Sequence, residues 1–118
     1  MLKTAIEDLL ASSGLSVEEA VNRHFTPDFR QRTNGNWDGR GAFVARIVGL
    51  RDLAVHATVA VLDELVDGER YAHRHVIDLV KHDGERIVQE VCLFARRGPD
   101  GRFACVEEAT FALSGAAK

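Results

Sequence analysis

The sequence predicts an α+β fold, with helices in the first half of the chain and antiparallel strands in the second. Apolar residues recur at helical spacing in the first half, whereas apolar and polar residues alternate in the second. Turn signals that contain glycine, at residues 67–68, 83–84 and 98–101, separate the strands at intervals suited to hairpins. The 118 residues are enough for one hydrophobic core but not for two, so a single domain spanning residues 1–118 is expected.

Two short helices are predicted at the start of the chain. The first carries an apolar stripe that breaks at residues 12–14. The stripe consists of Leu2, Ile6, Leu9 and Leu10. Ser16 and Glu19 form a capping box, which predicts a second helix from about Val17 to His24. Pro27 is expected to stop this helix.

A short strand, a turn and a third helix follow. The strand is predicted over Phe29 to Thr33, and Asn34-Gly35 supplies the turn. The helix is predicted to begin near Asp38 or Gly39, because an apolar stripe at helical spacing follows. This stripe consists of Phe43, Ile47, Val48 and Leu50. A β-branched, apolar stretch from Val55 to Val66 then predicts a long strand.

The composition narrows the classes of partner and compartment. The formal net charge is -3 and the Lys and Arg residues are scattered, so no surface for nucleic acid is expected. No apolar run approaches the roughly 18 residues of a membrane span, and no secretory leader is recognised, so a cytoplasmic protein without membrane contact is expected. Cys92 and Cys105 are interpreted as buried thiols rather than a disulfide. No motif implies a cofactor.

Three consecutive antiparallel strands are predicted between Glu69 and Ala112. Side chains two residues apart on a strand point the same way, so alternation places a polar set on one face. The set comprises Tyr71, His73, His75, Glu90, Cys92 and Glu108. Imidazoles and carboxylates on an otherwise apolar face indicate a lined cavity rather than plain packing. This face is therefore the predicted functional site.

The register of the first hairpin follows from its turn. A two-residue turn at Asp83-Gly84 fixes how the two strands pair. The predicted pairs are Val80 with Ile87, Ile77 with Glu90, His75 with Cys92, and His73 with Phe94. One face then collects both histidines and Glu90.

The register of the second hairpin is left with two alternatives. A three-residue loop sets Glu90 opposite Glu108, and a four-residue loop shifts the pairing by one residue. Either Glu107 or Glu108 can therefore face the cavity. Glu108 is favoured, because Val106 and Thr110 then extend the same face.

The opposite face of the predicted strands is also apolar. It gathers Val76, Val80, Ile87, Val91, Leu93, Ala95, Phe103, Cys105 and Phe111. The helices of the first half can cover only one of the two faces. A homodimer through this outer sheet face is therefore expected.

Three stretches mark the order of the predicted elements: "HFTPDF" before the short strand, "GNWDGRGAF" before the third helix, and "EVCLFARRGPDGRFACVEEATF" through the last two strands. In this order they resemble the nuclear transport factor 2-like superfamily over roughly residues 16–113. The resemblance implies a cone-shaped roll, in which a curved, mostly antiparallel sheet wraps around the N-terminal helices. A ligand pocket opens between the concave face and the helices. The stretches "FRQRTNGNWDGRGAFVARI" and "VEEAT" resemble uncharacterised bacterial members.

The superfamily includes ketosteroid isomerase, limonene epoxide hydrolase, scytalone dehydratase and polyketide cyclases, so the resemblance does not select a reaction. Carried over by position, the isomerase base falls near Thr33 and the isomerase's acidic oxyanion donor near Cys92, and neither residue is a carboxylic acid. The carboxylate on the last strand of the epoxide hydrolase matches Glu108. Its Arg and Asp partners fall nearest to Arg74 and Val76, which the predicted register turns outward.

A histidine beside a buried carboxylate can act as a general base near neutral pH. His75 with Glu108 is the preferred pair, and Glu90 near Glu108 would form a carboxylate pair that shares a proton. The alternative is that His73, His75 and the two glutamates only satisfy each other's hydrogen bonds. A third, less favoured interpretation is a metal site made by His73, His75 and Glu90.

Further pocket residues are chosen for aromatic or apolar character beside the polar face. They are Trp37, Phe43, Tyr71, Cys92, Phe94, Val106 and Thr110, of which Phe43 and Phe94 are assigned to the core first. The sequence thus predicts a protein that binds a small, partly apolar organic molecule. Two alternatives stay open: a proton-transfer enzyme of isomerase, cyclase, dehydratase or hydrolase type, and a noncatalytic ligand-binding or dimerisation module.

Overall fold

The computed structural model describes residues 2–10 and 14–113, and within them it contains three helices and six strands. The helices are α1 (Leu2–Leu10), α2 (Val17–His24) and α3 (Arg40–Leu53). The strands are β1 (Phe25–Thr33), β2 (Asn36–Gly39), β3 (Ala54–Asp67), β4 (Arg70–Lys81), β5 (Arg86–Arg97) and β6 (Phe103–Ala112). The predicted order of elements is confirmed, with β2 as an additional short strand. Ser12 and Ser13, at the predicted break, lie outside the described residues.

The six strands form one curved sheet in the order β2-β1-β6-β5-β4-β3. Neighbouring strands are antiparallel, except that β1 and β6 are parallel. The three helices pack on one side, which we call the inner face, and the other side is the outer face. The core between helices and inner face comprises Leu2, Ala5, Leu9, Val17, Ala20, Val21, Phe25, Phe29, Phe43, Ile47, Tyr71, Val91, Leu93, Ala95, Phe103 and Val106.

The helix α2 has the bounds that its capping box predicts. The Glu19 backbone N–H donates to Ser16 Oγ at 3.1 Å, and the Ser16 backbone N–H donates to Glu19 Oε1 at 2.8 Å. These two bonds satisfy donors that the first turn of a helix leaves free. Local chemistry therefore sets where this helix begins, and the burial of Val17, Ala20 and Val21 in the core adds to its stability.

The strand β1 begins at Phe25 rather than at the predicted Phe29. Its ladder to β6 is interrupted between Phe25 and Arg30. Pro27 lies in the interrupted stretch, and proline has no N–H to donate to a ladder. The chain thus passes directly from α2 into an extended strand that carries an irregularity at its proline.

Four phenylalanines form the centre of the core. The Phe29 ring centroid lies 4.6 Å from that of Phe25 and 4.8 Å from that of Phe43, and Phe25 lies 6.0 Å from Phe103. These spacings suit edge-to-face packing. Phe43 therefore belongs to the core. Phe103 does too, so its predicted place on the outer face is wrong.

The register between β4 and β5 differs by one residue from the prediction. The observed pairs are Val80 with Arg86, Ile77 with Gln89, His75 with Val91, and His73 with Leu93. The cause is a three-residue loop in place of the predicted two-residue turn. The Lys81 N–H donates to the Glu85 carbonyl at 2.8 Å, and the Gly84 N–H donates to the Lys81 carbonyl at 2.9 Å.

The backbone explains why the shorter turn does not form. A two-residue type I′ turn requires positive φ at both central residues. Gly84 has a φ of 88°, and Asp83 is not among the described residues with positive φ. A three-residue loop needs positive φ at its last position alone, and glycine meets this requirement without steric cost.

The register between β5 and β6 also departs from both predicted alternatives. Glu90 lies opposite Phe111, and Leu93 lies opposite Glu108. The connection runs over residues 98–102, and a register shift between Arg96 and Arg97 moves the pairing further. A β-bulge of this kind changes which residues of the next strand face inward.

The two shifts rearrange the faces of the sheet. Val91, Leu93 and Ala95, predicted to face outward, are buried on the inner face, with exposed fractions of 5–6%. Each shift reverses the alternation once, so together they return Glu108 to the inner face and leave Glu107 exposed on the outer face.

The described residues include two free thiols, at Cys92 and Cys105, both half-buried. The longest helix, α3, has 14 residues. Across residues 2–10 and 14–113, no helix combines the length and apolarity needed to span a membrane.

Replacement of glycine by alanine should have opposite effects at two positions. At Gly84 the φ of 88° strains any residue with a Cβ, so Gly84→Ala should lower the free energy of unfolding by about 1–2 kcal/mol. Gly49 lies inside α3, where a Cβ meets nothing within 4 Å, so Gly49→Ala should raise the free energy of unfolding by roughly 0.5–1 kcal/mol. Urea denaturation measures both changes. A Gly84→Ala variant as stable as the wild type would contradict the three-residue loop.

Candidate functional site

The inner face of β4 carries three buried polar residues, Tyr71, His73 and His75, which together with the exposed Glu64 of β3 we call the histidine cluster. His73 and His75 are each 3% exposed and Tyr71 is 1% exposed. Glu64 lies directly opposite His73 in the β3–β4 ladder. The cluster therefore sits under the helices, against the start of α1.

Hydrogen bonds link the members of the histidine cluster in a chain. The Nδ1 atoms of His73 and His75 lie 3.1 Å apart, so one ring donates and the other accepts. The Tyr71 hydroxyl donates to Glu64 Oε2 and accepts from the Leu2 backbone N–H at 3.4 Å. His73 Nε2 lies 3.7 Å from Glu64 Oε2 and has no hydrogen-bond partner among the described residues.

Burial sets the charge state of this cluster. Desolvation, and then the nearby charge of His73, lowers the pKa of His75 to about 4. Desolvation also lowers the pKa of His73, although Glu64 opposes this effect. Desolvation, followed by the hydrogen bond to Glu64, raises the pKa of Tyr71 to about 12. Both imidazoles are therefore neutral at neutral pH, which suits two rings that share one hydrogen bond.

Sequence reasoning missed Glu64, because the predicted turn at residues 67–68 lies one residue before the observed turn. The turn between β3 and β4 occupies Gly68 and Glu69, so Asp67 pairs with Arg70. Continued along the strands, this pairing places Glu64 opposite His73. The register of this hairpin therefore identifies the carboxylate that approaches His73.

A second polar group on the inner face, which we call the Glu108 cluster, comprises Glu108 of β6, Gln31 and Thr33 of β1, and Arg46 of α3. Thr33 Oγ1 donates to Glu108 Oε2 at 3.4 Å, and Gln31 Nε2 donates to Thr33 Oγ1 at 3.1 Å. Arg46 donates to Asp38 at 2.9 Å and contributes positive charge near Glu108. Sequence reasoning missed Gln31 and Arg46, although Gln31 shares the alternation of Thr33.

Glu108 is half-buried, and its surroundings act on its pKa in opposite directions. Desolvation is the largest influence and raises the pKa of Glu108 above its ordinary value of 4.5. The charge of Arg46 and the hydrogen bond from Thr33 partly oppose this increase. The result is a carboxyl group that is a stronger base than one in water and that keeps some contact with solvent.

The structure does not bring His75 and Glu108 together as predicted. His75 lies on β4 and Glu108 on β6, with β5 between them. Adjacent strands are about 4.8 Å apart, so the two backbones are roughly 10 Å apart. Val91 and Leu93 fill the intervening strand on this face. The hydrogen bond of His75 goes to His73, and that of Glu108 comes from Thr33.

Three other predicted site residues, Glu90, Cys92 and Phe94, lie on the outer face. The register shift of β5 is the reason. Glu90 accepts a hydrogen bond from Arg74 at 3.0 Å, and Phe94 is 73% exposed. The predicted carboxylate pair with Glu108 is therefore wrong, and so is the metal set of His73, His75 and Glu90. Among the described residues, no cluster of His, Cys, Asp or Glu has the arrangement to hold a metal ion.

The remaining predicted pocket residues are divided between the faces. Trp37 is 45% exposed and pairs with Arg32, which points outward, so its predicted place at a pocket mouth is wrong. Val106 is buried in the core, and Thr110 accepts a hydrogen bond from Asn34 at 3.0 Å. An open concavity of about 640 Å³ is lined mainly by residues of the outer face, both apolar (Leu65, Ala72, Cys92, Phe94 and Ala109) and charged (Arg32, Asp63, Arg74 and Glu107).

No family model matches the sequence, and no curated protein matches it significantly. Solved structures match it over most of its length. A nuclear transport factor 2-like protein of unknown function from Exiguobacterium sp. 255-15 is 17% identical, has a TM-score of 0.70, and matches over 94% of this chain and 97% of that chain.

Two further structures carry functional names. A protein with a ketosteroid isomerase-like fold from Catenulispora acidiphila DSM 44928, in complex with trimethylamine, is 10% identical with a TM-score of 0.65, over 88% of this chain and 82% of that chain. A candidate isomerase of the SnoaL-like family from Agrobacterium tumefaciens str. C58 is 12% identical with a TM-score of 0.65, over 93% of both chains.

Identities below 25% establish an architecture and leave activity open. The predicted α+β cone, with helices against the inner face of a mostly antiparallel sheet, is confirmed. The chain has the nuclear transport factor 2-like fold.

Proposed function

We propose that the protein binds a small, partly apolar organic molecule against its inner face and that Glu108 exchanges a proton with it. One observation carries this proposal. Glu108 is a half-buried carboxyl group whose pKa is raised by desolvation and whose side chain accepts a hydrogen bond from the Thr33 hydroxyl. Such a group is a better proton acceptor near neutral pH than an ordinary carboxylate.

Glu108 is preferred to His75 as the general base. An efficient base has a pKa near the working pH, and burial lowers the pKa of His75 to about 4. The Nδ1 atom of His75 is also engaged with His73. We therefore assign the histidine cluster to the ordering of β3, β4 and α1.

The family resemblance supports a site at this place. The position that matches the ketosteroid isomerase base is Thr33, which donates its hydroxyl hydrogen to Glu108. The neighbouring strand β6 thus supplies a carboxylate next to the position where that isomerase carries its own. Two of the similar solved structures are described as having a ketosteroid isomerase-like fold and as a candidate isomerase, which also favours proton-transfer chemistry.

Proton transfer can be tested without the natural substrate. Exchange of α-hydrogen for deuterium in a ketone such as cyclohexanone, followed by NMR in deuterium oxide, reports a base that removes the proton and returns a deuteron. The wild type should accelerate the exchange, and Glu108→Gln should reduce the acceleration by about 100-fold or more. The rate should fall as the pH drops through the pKa of Glu108, which lies above 4.5, because the protonated carboxyl cannot accept a proton.

Glu107→Gln is the matched control, since it removes the adjacent carboxylate from the opposite face of the same strand. This variant should catalyse hydrogen–deuterium exchange in the ketone at the wild-type rate. Equal loss in both variants, or no acceleration by the wild type, would refute proton transfer by Glu108. If the wild type does not accelerate the exchange but still binds cyclohexanone, the protein is a noncatalytic ligand-binding module.

The histidine cluster predicts a loss of stability in mild acid. The pKa of His75 is about 4 in the folded protein and near 6.5 in the unfolded chain, so the unfolded chain binds more protons between these values. This contribution is complete above pH 6.5 and is lost as the pH falls toward 4, by up to roughly 3 kcal/mol. Urea denaturation across this range should show a weaker pH dependence for His75→Gln than for the wild type and for the exposed-site control His82→Gln. The same dependence in all three would contradict the assignment.

A second role, in dimeric association, is favoured by apolar side chains exposed on the outer face. We propose that this face pairs with the same face of a second copy of the chain. Leu65 and Phe94 are 72% and 73% exposed and flank Ala72 in one row of the sheet. The concavity of about 640 Å³ beside them can receive a protruding side chain of the second copy. A stable dimer buries about 800 Å² per partner, and the molecule measures 42 × 28 × 25 Å, so one broad face suffices.

Sedimentation velocity at tens of micromolar protein tests this role. The wild type should sediment as a dimer, and Phe94→Glu should sediment as a monomer because it places a charge in an apolar contact. Val48→Glu is the control, since Val48 is 42% exposed on α3, away from the sheet face. A monomeric wild type, or a Val48→Glu variant that dissociates equally, would refute the proposed interface.

A further inference from the structure

Three arginines of the outer face lack the partners that almost every other described arginine has. Eight arginines form an ion pair or donate a hydrogen bond: Arg23, Arg32, Arg40, Arg46, Arg51, Arg74, Arg86 and Arg102. Within the described residues, Arg30, Arg70 and Arg96 do neither, and all three are exposed. Arg97, which also lacks an acidic partner there, stacks against the Tyr71 ring at 5.9 Å.

The three unpaired arginines lie in one row across the sheet. Arg70 of β4 pairs with Arg96 of β5, Arg96 pairs with Cys105 of β6, and Cys105 pairs with Arg30 of β1. Like charges directly opposite each other in a sheet are unfavourable. We call this arrangement the arginine row. It lies where β4 begins and β5 ends.

The arginine row borders a concavity of its own. A space of about 590 Å³ is lined by Arg30, Arg70, Arg96 and Cys105, with Phe94 and Glu107 at its side. The Arg30 guanidinium lies 4.3 Å from the centroid of the Trp37 ring. Stacking on an aromatic ring fixes a guanidinium in a plane and leaves its N–H groups free for a ligand.

The acidic groups near the arginine row do not neutralise it. Glu107 forms an ion pair with Arg32 at 3.3 Å, outside the row. Asp67 lies opposite Arg70 in the β3–β4 ladder but does not form an ion pair with it. Three guanidinium groups around one concavity therefore keep an excess of positive charge.

We propose that the arginine row binds a small organic anion, in which a phosphate or carboxylate group is attached to an apolar body. Guanidinium groups bind both kinds of oxyanion through paired N–H donors. An anion between Arg70 and Arg96 removes the repulsion between them, and Phe94 offers an apolar surface to the rest of the molecule. This site is on the opposite face from Glu108 and does not depend on the proposed proton transfer.

Calorimetric titration at constant ionic strength in sodium chloride tests the proposal with phenyl phosphate, benzoate and inorganic phosphate. Phenyl phosphate or benzoate should bind the wild type, and Arg96→Gln should weaken that binding at least about tenfold. The matched control is Arg86→Gln, which removes a paired arginine from the same strand and face and should bind like the wild type. Tighter binding of phenyl phosphate than of benzoate assigns the anion as a phosphate, and the reverse assigns a carboxylate.

Thermal unfolding provides a readout that a merely structural role would not move. Without an oxyanion, Arg96→Gln should melt above the wild type, because it removes like-charge repulsion. Phenyl phosphate should raise the melting temperature of the wild type and not that of the variant. Three results would overturn the proposal. The first is that no oxyanion stabilises the wild type more than chloride does, and the second is that Arg86→Gln weakens anion binding as much as Arg96→Gln. The third is a wild-type dimer that dissociates in Arg96→Gln, because the arginines would then pair with carboxylates of a second copy.

Discussion

The hydrogen-bond ladder between β4 and β5 is the constraint on which the arrangement of this protein depends. Side chains alternate between the faces of a strand, so the ladder decides which residues of β5 share a face with the histidines of β4. The three-residue loop ending at Gly84 sets that ladder. It places Val91, Leu93 and Ala95 under the helices and turns Glu90 and Phe94 outward. Packing of the core against the helices and the outward position of Glu90 and Phe94 thus have one geometric origin.

Leu93, with Val91 and Ala95, divides the inner face into two polar regions with different chemistry. On one side, the two histidines of the histidine cluster are buried, neutral and joined by a hydrogen bond. On the other side, Glu108 keeps contact with solvent, and its side chain accepts one hydrogen bond from the part of the chain that the structure describes, that of the Thr33 hydroxyl. Desolvation acts in both regions but makes the histidines weaker bases and the carboxylate a stronger one. Glu108 is therefore the better candidate for a general base, because desolvation raises its pKa and lowers the pKa of the histidines.

The outer face combines exposed apolar side chains with the arginine row, and each of these features favours binding of a partner. Leu65 and Phe94 are mostly exposed, and the arginine row forms no ion pair with any other residue of 2–10 or 14–113. An exposed apolar patch favours contact with another apolar surface, and unpaired guanidinium groups favour an oxyanion. The apolar patch lies at the middle of the strands and the arginine row at their ends, and Phe94 borders both, so the dimer contact and the anion share this side chain. The inner face and the outer face would then serve different partners.

The sequence by itself determined what depends on short-range chemistry: the bounds of α2 through its Ser16 and Glu19 cap, the order of helices and strands, and the resemblance to the nuclear transport factor 2-like fold. It also placed Glu108 inward, although through two register errors that compensate. Only the tertiary structure decided the registers, the approach of Glu64 to His73, the separation of His75 from Glu108, and the outward position of Trp37. The physical reason is that one extra residue in a loop or bulge moves every later side chain of the strand to the opposite face. Whether a loop has that extra residue depends on the φ angle that a single glycine adopts.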